Sequence, residues 1–405
     1  MSTGAGTAAV AGDARVIGLV GTGHFFSHFY LLALPPLFPL LKDEFGVGYA
    51  ALGAVLMVYN LATGAVQVPV GFLVDRIGAR TVLLVGLAVD AAAIAAIGLT
   101  SSYWALMALI FIAGLGNSVF HPADYAILSA NVGQGRLGRA FSFHTFAGFL
   151  GFAAAPGTMV LLTALMNWRA ALIVVGAVGL AVAAVMLAAR TALADNASAR
   201  ASEAPAQPRR GQGLALLFSP PILLFFLFFL TTSMATSGIH AFSVAAIVSL
   251  YDAPLAAANA ALTGFLLAAA VGILAGGVLA DRTSRHDLVA VIGFVAAAAM
   301  VAVVAIMSLP MALLIGALTL AGLFQGSSRP SRDMMVRAVT PRGATGKVFA
   351  FVSVGLNVGG AISPVLFGWV IDLGEPRLVF ALVVLFMLAA AGTVIVSRRF
   401  GAVSA

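Results

Sequence analysis

From Val16 to Leu41 the chain runs for 26 residues without one Asp, Glu, Lys or Arg. A helix needs about 20 predominantly apolar residues to cross the hydrocarbon core of a bilayer. Eleven further stretches are similarly long and nearly as poor in charge. The spans read at 15–41, 50–73, 80–100, 103–129, 138–166, 170–189, 218–249, 256–280, 288–307, 309–333, 346–371 and 377–397. Charged residues make up only 9% of the chain and the mean hydropathy is +1.09, whereas a soluble domain carries about 25% charged residues. The expected class is an all-α integral membrane protein with twelve transmembrane helices. The N-terminus lacks a basic n-region and a cleavage site, so no cleaved signal peptide is expected. There is no cysteine, which excludes disulfides, thiolate metal sites and cysteine nucleophiles.

Arginine and lysine set the expected orientation. Arg15, Arg76, Arg80, Arg136, Arg139, Arg190, Arg200, Arg209, Arg210, Arg282, Arg285, Arg329, Arg332, Arg337, Arg342, Lys347, Arg398 and Arg399 fall on one side, and Lys42, Arg169 and Arg377 on the other. This bias of 18 against 3 places both termini in the cytoplasm. The net charge of +7 then points to lipid headgroups as partners and not to nucleic acid. Between the sixth and seventh spans, "RTALADNASARASEAPAQPRRGQG" is rich in Ala, Ser, Pro and charge and reads as a linker. The expected domains are residues 1–190, a linker at 191–214, and residues 215–405.

The chain also repeats itself. "GFLVDRIGAR" (71–80) is echoed by "GVLADRTSR" (277–285), with Asp75-Arg76 matching Asp281-Arg282 at an offset of 206. Further on the offset is 208: "AGL" at 113–115 returns at 321–323, Pro122 matches Pro330, "GRAFSF" (138–143) returns as "GKVFAF" (346–351), and Arg169 matches Arg377. One slip of two residues over this length indicates a duplication of six spans. Both copies begin on the same side, so they are parallel repeats, for which a substrate path between the halves is expected.

Twelve spans, two six-span halves, a central linker and the Gly71-x-Leu73-x-Asp75-Arg76-x-Gly78-x-Arg80 phrase resemble the major facilitator superfamily. The second copy keeps Gly277, Leu279, Asp281, Arg282 and Arg285 and lacks the middle glycine. Within that superfamily, "GLGNSVFHPADYAIL" followed by "GQGRLGRAFSFHTFAGFLGFAAAPG" resembles the fosmidomycin-resistance branch of proton-driven drug exporters. That branch carries an acid directly after His-Pro, whereas here Ala123 intervenes before Asp124. Pro156 follows Ala155 where exporters carry Gly. The resemblance implies a major facilitator fold of two pseudo-symmetric six-helix bundles and secondary active transport by alternating access. It also implies a gate built from Gly71, Asp75, Arg76, Arg80, Gly277, Asp281, Arg282 and Arg285, with Asp75 meeting the start of span eleven near Gly346-Lys347 and Asp281 meeting Gly138-Arg139. The alternative for these phrases is simple positive-inside anchoring.

Ionisable residues at membrane depth are costly and read as functional candidates. Asp90 stands about 15 Å along span three at ~1.5 Å per residue and reads as the one acid near the midplane. It is a proton carrier or a structural acid bonded to a neighbouring helix. His24 and His28 are four apart and share a helix face. They are expected to serve the substrate, with His28 also placed for protons, or to pack helices. A metal site is weighed least, because no third ligand is evident. Asn117, His121 and His144 are further substrate candidates, with Asp124 beside them at the floor of a cavity. Pro122 is expected to kink the end of span four, and His240 to serve packing. In span ten, Arg329 is the mate of His121 and suits a carboxylate or phosphonate, or anchors at the interface. Gln325, one turn deeper, is the other contact there.

The expected function is secondary transport of a small organic compound, anionic ones included, across the inner membrane, as proton-coupled efflux by a monomer. A proton-coupled importer of a carboxylate nutrient is the alternative. No clustered nucleophile or paired carboxylates point to an enzyme, no phosphate-binding Gly-rich loop points to ATP, and neither a cofactor nor a resident metal is expected.

Overall fold

The computed structural model describes residues 3–193, 214–340 and 345–398. Most of the linker, together with Arg200, Arg209, Arg210, Arg342, Arg399 and the side chain of Lys347, lies outside the described residues. Among those described the protein is all-α, and 12 helical spans are long and apolar enough to cross a membrane. They run Gly12–Phe45, Tyr49–Ile77, Ala79–Ile97, Tyr103–Asn131, Arg136–Leu165, Trp168–Ala188, Pro220–Tyr251, Leu255–Arg282, His286–Ile306, Met311–Val339, Phe351–Asp372 and Arg377–Ser397. In hydrocarbon every backbone N–H and C=O must be satisfied within the chain, and a helix does this within each segment.

Prolines and glycines set the breaks. The first helix ends at Leu31, and Pro35 and Pro36 open a short 3₁₀ turn before the helix resumes at Phe38–Phe45. Span four is two helices, Tyr103–Asn117 and Phe120–Asn131. Pro122 has no N–H to give the Ser118 carbonyl four residues back, and the helix parts at Ser118–Val119. The Ser118 hydroxyl turns instead to the Leu115 carbonyl at 2.7 Å. The expected kink is therefore a break. Its mate Pro330 sits inside an unbroken helix, Met311–Val339, so the two copies have diverged at this point. Span seven carries a π-helical turn at Gly238–Phe242 that contains His240.

Contacts divide the chain into two units. One holds residues up to 37 together with 58–193, the other 38–57 together with 214–398. In the first unit, span one packs on span five and on the second helix of span four, and span three packs on spans four and six. In the second unit, span seven packs on spans eleven and twelve, and span nine on spans ten and twelve. The pairs one–five, three–four and three–six recur as seven–eleven, nine–ten and nine–twelve, which gives the sequence repeat a structural counterpart, while the second partner of span one, span four, differs from that of span seven, span twelve. The segment at 38–57 joins the second unit through Asp372, whose carboxylate oxygens accept the N–H groups of Tyr49 at 2.7 Å and Ala50 at 2.8 Å. The donors are orphan N–H groups at a helix start, where a carboxylate is favoured.

The matched arginines do matched work. Arg169, at the start of span six, donates to the Thr100 carbonyl just past the end of span three. Arg377, at the start of span twelve, donates to the Ile306 carbonyl at 3.1 Å and to the Ser308 hydroxyl at 2.6 Å, at the end of span nine. Each satisfies a carbonyl that its helix leaves without an internal donor. Arg136 on span five closes on Asp13 of span one at 2.6 Å.

Spans eight and ten meet through glycine. A Cβ at Gly322 would run into the main chain of Phe265, and one at Gly326 into that of Ala269. Gly326→Ala should therefore force two backbones apart, at a cost of roughly 1–3 kcal/mol, and lower the thermal midpoint in detergent. Gly316→Ala, with open space at its Cβ, should leave that midpoint unchanged or raised. Equal midpoints for both variants would refute this account of the packing.

Candidate functional site

Spans one, four and five bring five ionisable side chains, His24, His28, His121, Asp124 and His144, together in the first unit. His24 and His28 stand one turn apart, with ring centroids 4.6 Å from each other. His144 of span five stacks on His24 at 3.6 Å with the planes 23° apart. His121, from the second helix of span four, lies 5.1 Å from His24. Gly148 makes room for the pair: a Cβ there would come within 2.9 Å of the His24 ring and 3.0 Å of the His28 ring.

Asp124 is the acid at the centre of this group. It is 0% exposed. Its Oδ2 lies 2.9 Å from His144 Nε2 and 3.3 Å from His24 Nδ1. Two carboxylates, Asp90 and Asp124, are therefore buried among the spans of this unit. Asp124 stands close to the end of span four in the sequence, and its burial comes from the helices of spans one and five packed over it. The residue pattern did hold a signal. His121 and Asp124 are three apart and so share a helix face, and that face is turned to a fifth span that carries its own histidine.

Asp90 is also 0% exposed. The Asn117 amide donates to Asp90 Oδ2 at 3.3 Å, and to the Ser27 carbonyl and hydroxyl at 3.1 and 3.0 Å. Ser27 lies between His24 and His28 on span one, so Asn117 links Asp90 to the helix that carries the histidine pair. Asp90 Oδ1 has no hydrogen-bond partner among the described residues. A buried carboxylate left half-satisfied is expensive.

In the second unit, Gln325 is buried. It donates from Nε2 to Thr236 Oγ1 at 3.3 Å, and Oε1 has no hydrogen-bond partner among the described residues. Arg329, one turn on, is half-buried. The span-seven hydroxyls turn to the backbone: Thr231 donates to the Leu227 carbonyl at 2.8 Å, and Ser233 to the Leu356 carbonyl of span eleven at 2.7 Å.

The two charged phrases end spans two and eight. Asp75, Arg76, Asp281 and Arg282 are exposed. Arg80 donates to the Arg190 carbonyl at 3.3 Å. Arg285 lies 3.4 Å from Asp287, which also holds Arg398 at 2.6 Å. Arg80 thus finds its partner just past the end of span six, and Arg285 shares Asp287, at the start of span nine, with Arg398 at the end of span twelve. Gly71 and Asp75 border a cleft of about 530 Å³ that is also lined by Pro122 and Tyr125, and the Tyr125 ring stacks 5.9 Å from His121. The cleft therefore lies beside the histidine group.

Twelve apolar spans in two repeated sets, with ionisable side chains buried within them, are the architecture of a polytopic membrane transporter. The chain belongs to the Major Facilitator Superfamily, whose family model matches residues 20–253 and 232–401. An MFS-type transporter, YfnC, from Bacillus subtilis (strain 168) is 27% identical over 359 residues, covering 87% of this chain and 86% of that protein. The fosmidomycin resistance protein of Escherichia coli (strain K12) is 26% identical over 156 residues, 38% of each chain. A probable L-galactonate transporter of the same strain is 26% identical over 140 residues, covering 35% of this chain and 31% of that protein. Among solved structures, a bacterial homologue of the human lysosomal transporter Spinster shares the fold with a TM-score of 0.77 at 12% identity, covering 97% of this chain and 98% of that one. The nucleoside transporter NupG shares it at 0.76 and 15% identity, covering 95% and 99%.

Removing the amide that serves Asp90 should be costly. Asn117→Ala is expected to destabilise the fold by about 1–3 kcal/mol, read as a lowered thermal midpoint. In a double-mutant cycle with Asp90→Leu the two changes should couple by more than about 0.5 kcal/mol. Strict additivity would show that the 3.3 Å contact carries no energy.

Proposed function

We propose that this transporter moves a small organic anion across the bacterial inner membrane by proton-coupled alternating access, in the direction of efflux, as a monomer with both termini in the cytoplasm. The observation that carries the reading is Asp90: a fully buried carboxylate in an apolar bundle, with one oxygen on Asn117 and the other without a hydrogen-bond partner among the described residues. An acid kept at such cost is a functional group by default. Asp90 takes up and releases the coupling proton, and Asn117 holds its geometry in both charge states.

Arg329 supplies the anion contact in the second unit. A guanidinium presents a planar fork that matches a carboxylate or phosphonate with two parallel hydrogen bonds. Gln325, one turn away, fixes the helix beneath it through Thr236. The partial likeness to a fosmidomycin resistance protein, a galactonate transporter and a probable sulfoacetate transporter supports an anionic cargo. The galactonate likeness also sustains a second reading, import of a carboxylate nutrient with the same proton site. Asp75 and Asp281 are assigned to gating. Their exposure at the helix ends suits a contact that forms and breaks, and the neighbouring arginines Arg80 and Arg285 are held within their own units.

Everted membrane vesicles energised to acidify the lumen test the function. Addition of fosmidomycin should dequench a pH-sensitive dye above the empty-vector level, and galactonate-type sugar acids and sulfonates form the panel if it does not. Asp90→Asn should abolish the proton signal while leaving the protein folded and still able to exchange cargo down its own gradient. Full proton exchange in that variant would remove Asp90 from the mechanism. Arg329→Gln should raise the KM for an anionic cargo roughly tenfold or more, as expected for loss of a charge-assisted pair worth about 1.5–3 kcal/mol. An unchanged KM would return Arg329 to an anchoring role.

A further inference from the structure

We propose that His24, His121, His144 and Asp124 form a binding site for a divalent transition-metal ion of the zinc class. The donor atoms are already gathered. The three imidazoles each offer a nitrogen, all within 4.8 Å of one another. Asp124 Oδ2 stands 2.9 Å from His144 Nε2 and 3.3 Å from His24 Nδ1. In a tetrahedral site with metal–donor bonds of ~2.0–2.1 Å, neighbouring donors lie about 3.3 Å apart. The two edges that run to Asp124 are close to that value. The longest nitrogen–nitrogen edge would have to shorten by about 1.5 Å, which rotation of the exposed His121 side chain can supply.

The unsatisfied atoms point the same way. His24 is only 2% exposed, yet its Nδ1 makes no hydrogen bond, although it lies 3.3 Å from Asp124. A buried polar atom without a partner calls for an explanation. Here two imidazole nitrogens converge on one carboxylate oxygen, yet only that of His144 is hydrogen-bonded to it, and Asp124 Oδ1 has no hydrogen-bond partner among the described residues. A metal ion between them would give all three atoms a partner at once. Helix packing alone does not need this convergence, because His144 bonded to Asp124 would already satisfy that role.

The donor chemistry selects the ion. Three imidazoles and one carboxylate suit Zn²⁺, Co²⁺, Ni²⁺ or Cu²⁺. Mg²⁺ and Ca²⁺ want oxygen donors, and soft ions want thiolates, of which the chain has none. Access is provided. His121 is exposed while His24 and His144 are buried, and the stacked Tyr125 leads from His121 into the cleft that Gly71 and Asp75 border. Gly148 keeps the space around His24 clear of a side chain. His28, whose centroid is 6.4 Å from that of His121, stays outside the ligand set. The site makes no use of Asp90 or Arg329, so it stands apart from the proton and anion roles proposed above.

The test is made on the purified full-length protein in detergent, with any affinity tag removed and Co²⁺ as the probe. Binding of one equivalent with the intense visible d–d bands of tetrahedral Co²⁺, displaced by Zn²⁺, is the expected result. Zn²⁺ should also raise the thermal midpoint of the unliganded protein. His121→Ala, Asp124→Asn and His144→Ala should each weaken Co²⁺ binding by at least tenfold, while His240→Ala should not. His121 is exposed, so His121→Ala is the variant expected to fold with an unchanged metal-free midpoint, and in it the Zn²⁺-dependent rise should vanish. The proposal is overturned by weak octahedral-type Co²⁺ spectra alone, or by full tetrahedral binding that survives in His121→Ala and His144→Ala. It is likewise overturned by a loss of binding in His240→Ala equal to that in His144→Ala. None of these readings depends on transport, so a failure of proton-coupled efflux leaves the metal site standing and the reverse also holds.

Discussion

A polar group lowered among apolar helices has no water to turn to, and its hydrogen bonds must come from a neighbouring segment. The packing of this chain answers that demand group by group. The backbone is satisfied by making every span a helix. The carbonyls freed at the ends of spans three and nine are taken by Arg169 and Arg377. The N–H groups freed where span two begins are taken by Asp372. The largest group of ionisable side chains lies in the first unit, where Asp90, Asn117, Ser27, Asp124, His24, His28 and His144 are gathered with the exposed His121 at their edge.

The duplication explains which of these solutions recur and which do not. Arg169 and Arg377 occupy equivalent positions and perform equivalent caps, because a helix end left without a donor costs the same in either copy. The helix pairs recur for the same reason, since close packing of small residues depends on shape and not on the cargo. The polar interior has not been kept. His121 and Pro122 match Arg329 and Pro330, yet the first proline breaks its helix and the second does not. The Phe120–Asn131 helix carries His121 and Asp124 against spans one and five. The unbroken helix carries Arg329, which is half-buried. A change of one side chain and one backbone junction has given the two copies different chemistry on a common frame.

The spans themselves were open to reading from the sequence, with most boundaries within a few residues, because length and charge scarcity are set by the bilayer and need no tertiary information. The repeat was legible for a similar reason, as Asp75-Arg76 and Arg169 have mates at nearly constant offset. Asp90 stood out because it interrupts an apolar helix. Asp124 was legible only as a neighbour of His121 at a cavity floor, because it lies near the end of its span, where an acid is ordinarily an interfacial residue. Only the packing of spans one and five over it makes it a buried carboxylate. For Gln325 the depth pointed to a contact for cargo, and the packing adds a bond from its amide to Thr236 that no pattern in the sequence announces. Depth along a helix is written in the sequence, but the direction a side chain faces depends on what the neighbouring helices bring.

The two buried carboxylates of the first unit differ in the partners they keep, and that difference assigns them different work. Asp90 is bonded to an amide, which donates without any change in its own charge. A proton arriving at or leaving Asp90 in the proposed cycle would therefore alter one group only, with Asn117 tying that group to Ser27 on span one. Asp124 is hydrogen-bonded to His144 and lies 3.3 Å from His24, so a charge placed there is met by several side chains. A site with many donors suits a multivalent cation, and a site with one suits a single proton, which is why the two proposed roles are assigned as they are. Both carboxylates reach span one, Asp90 through Asn117 to Ser27 and Asp124 through its approach to His24.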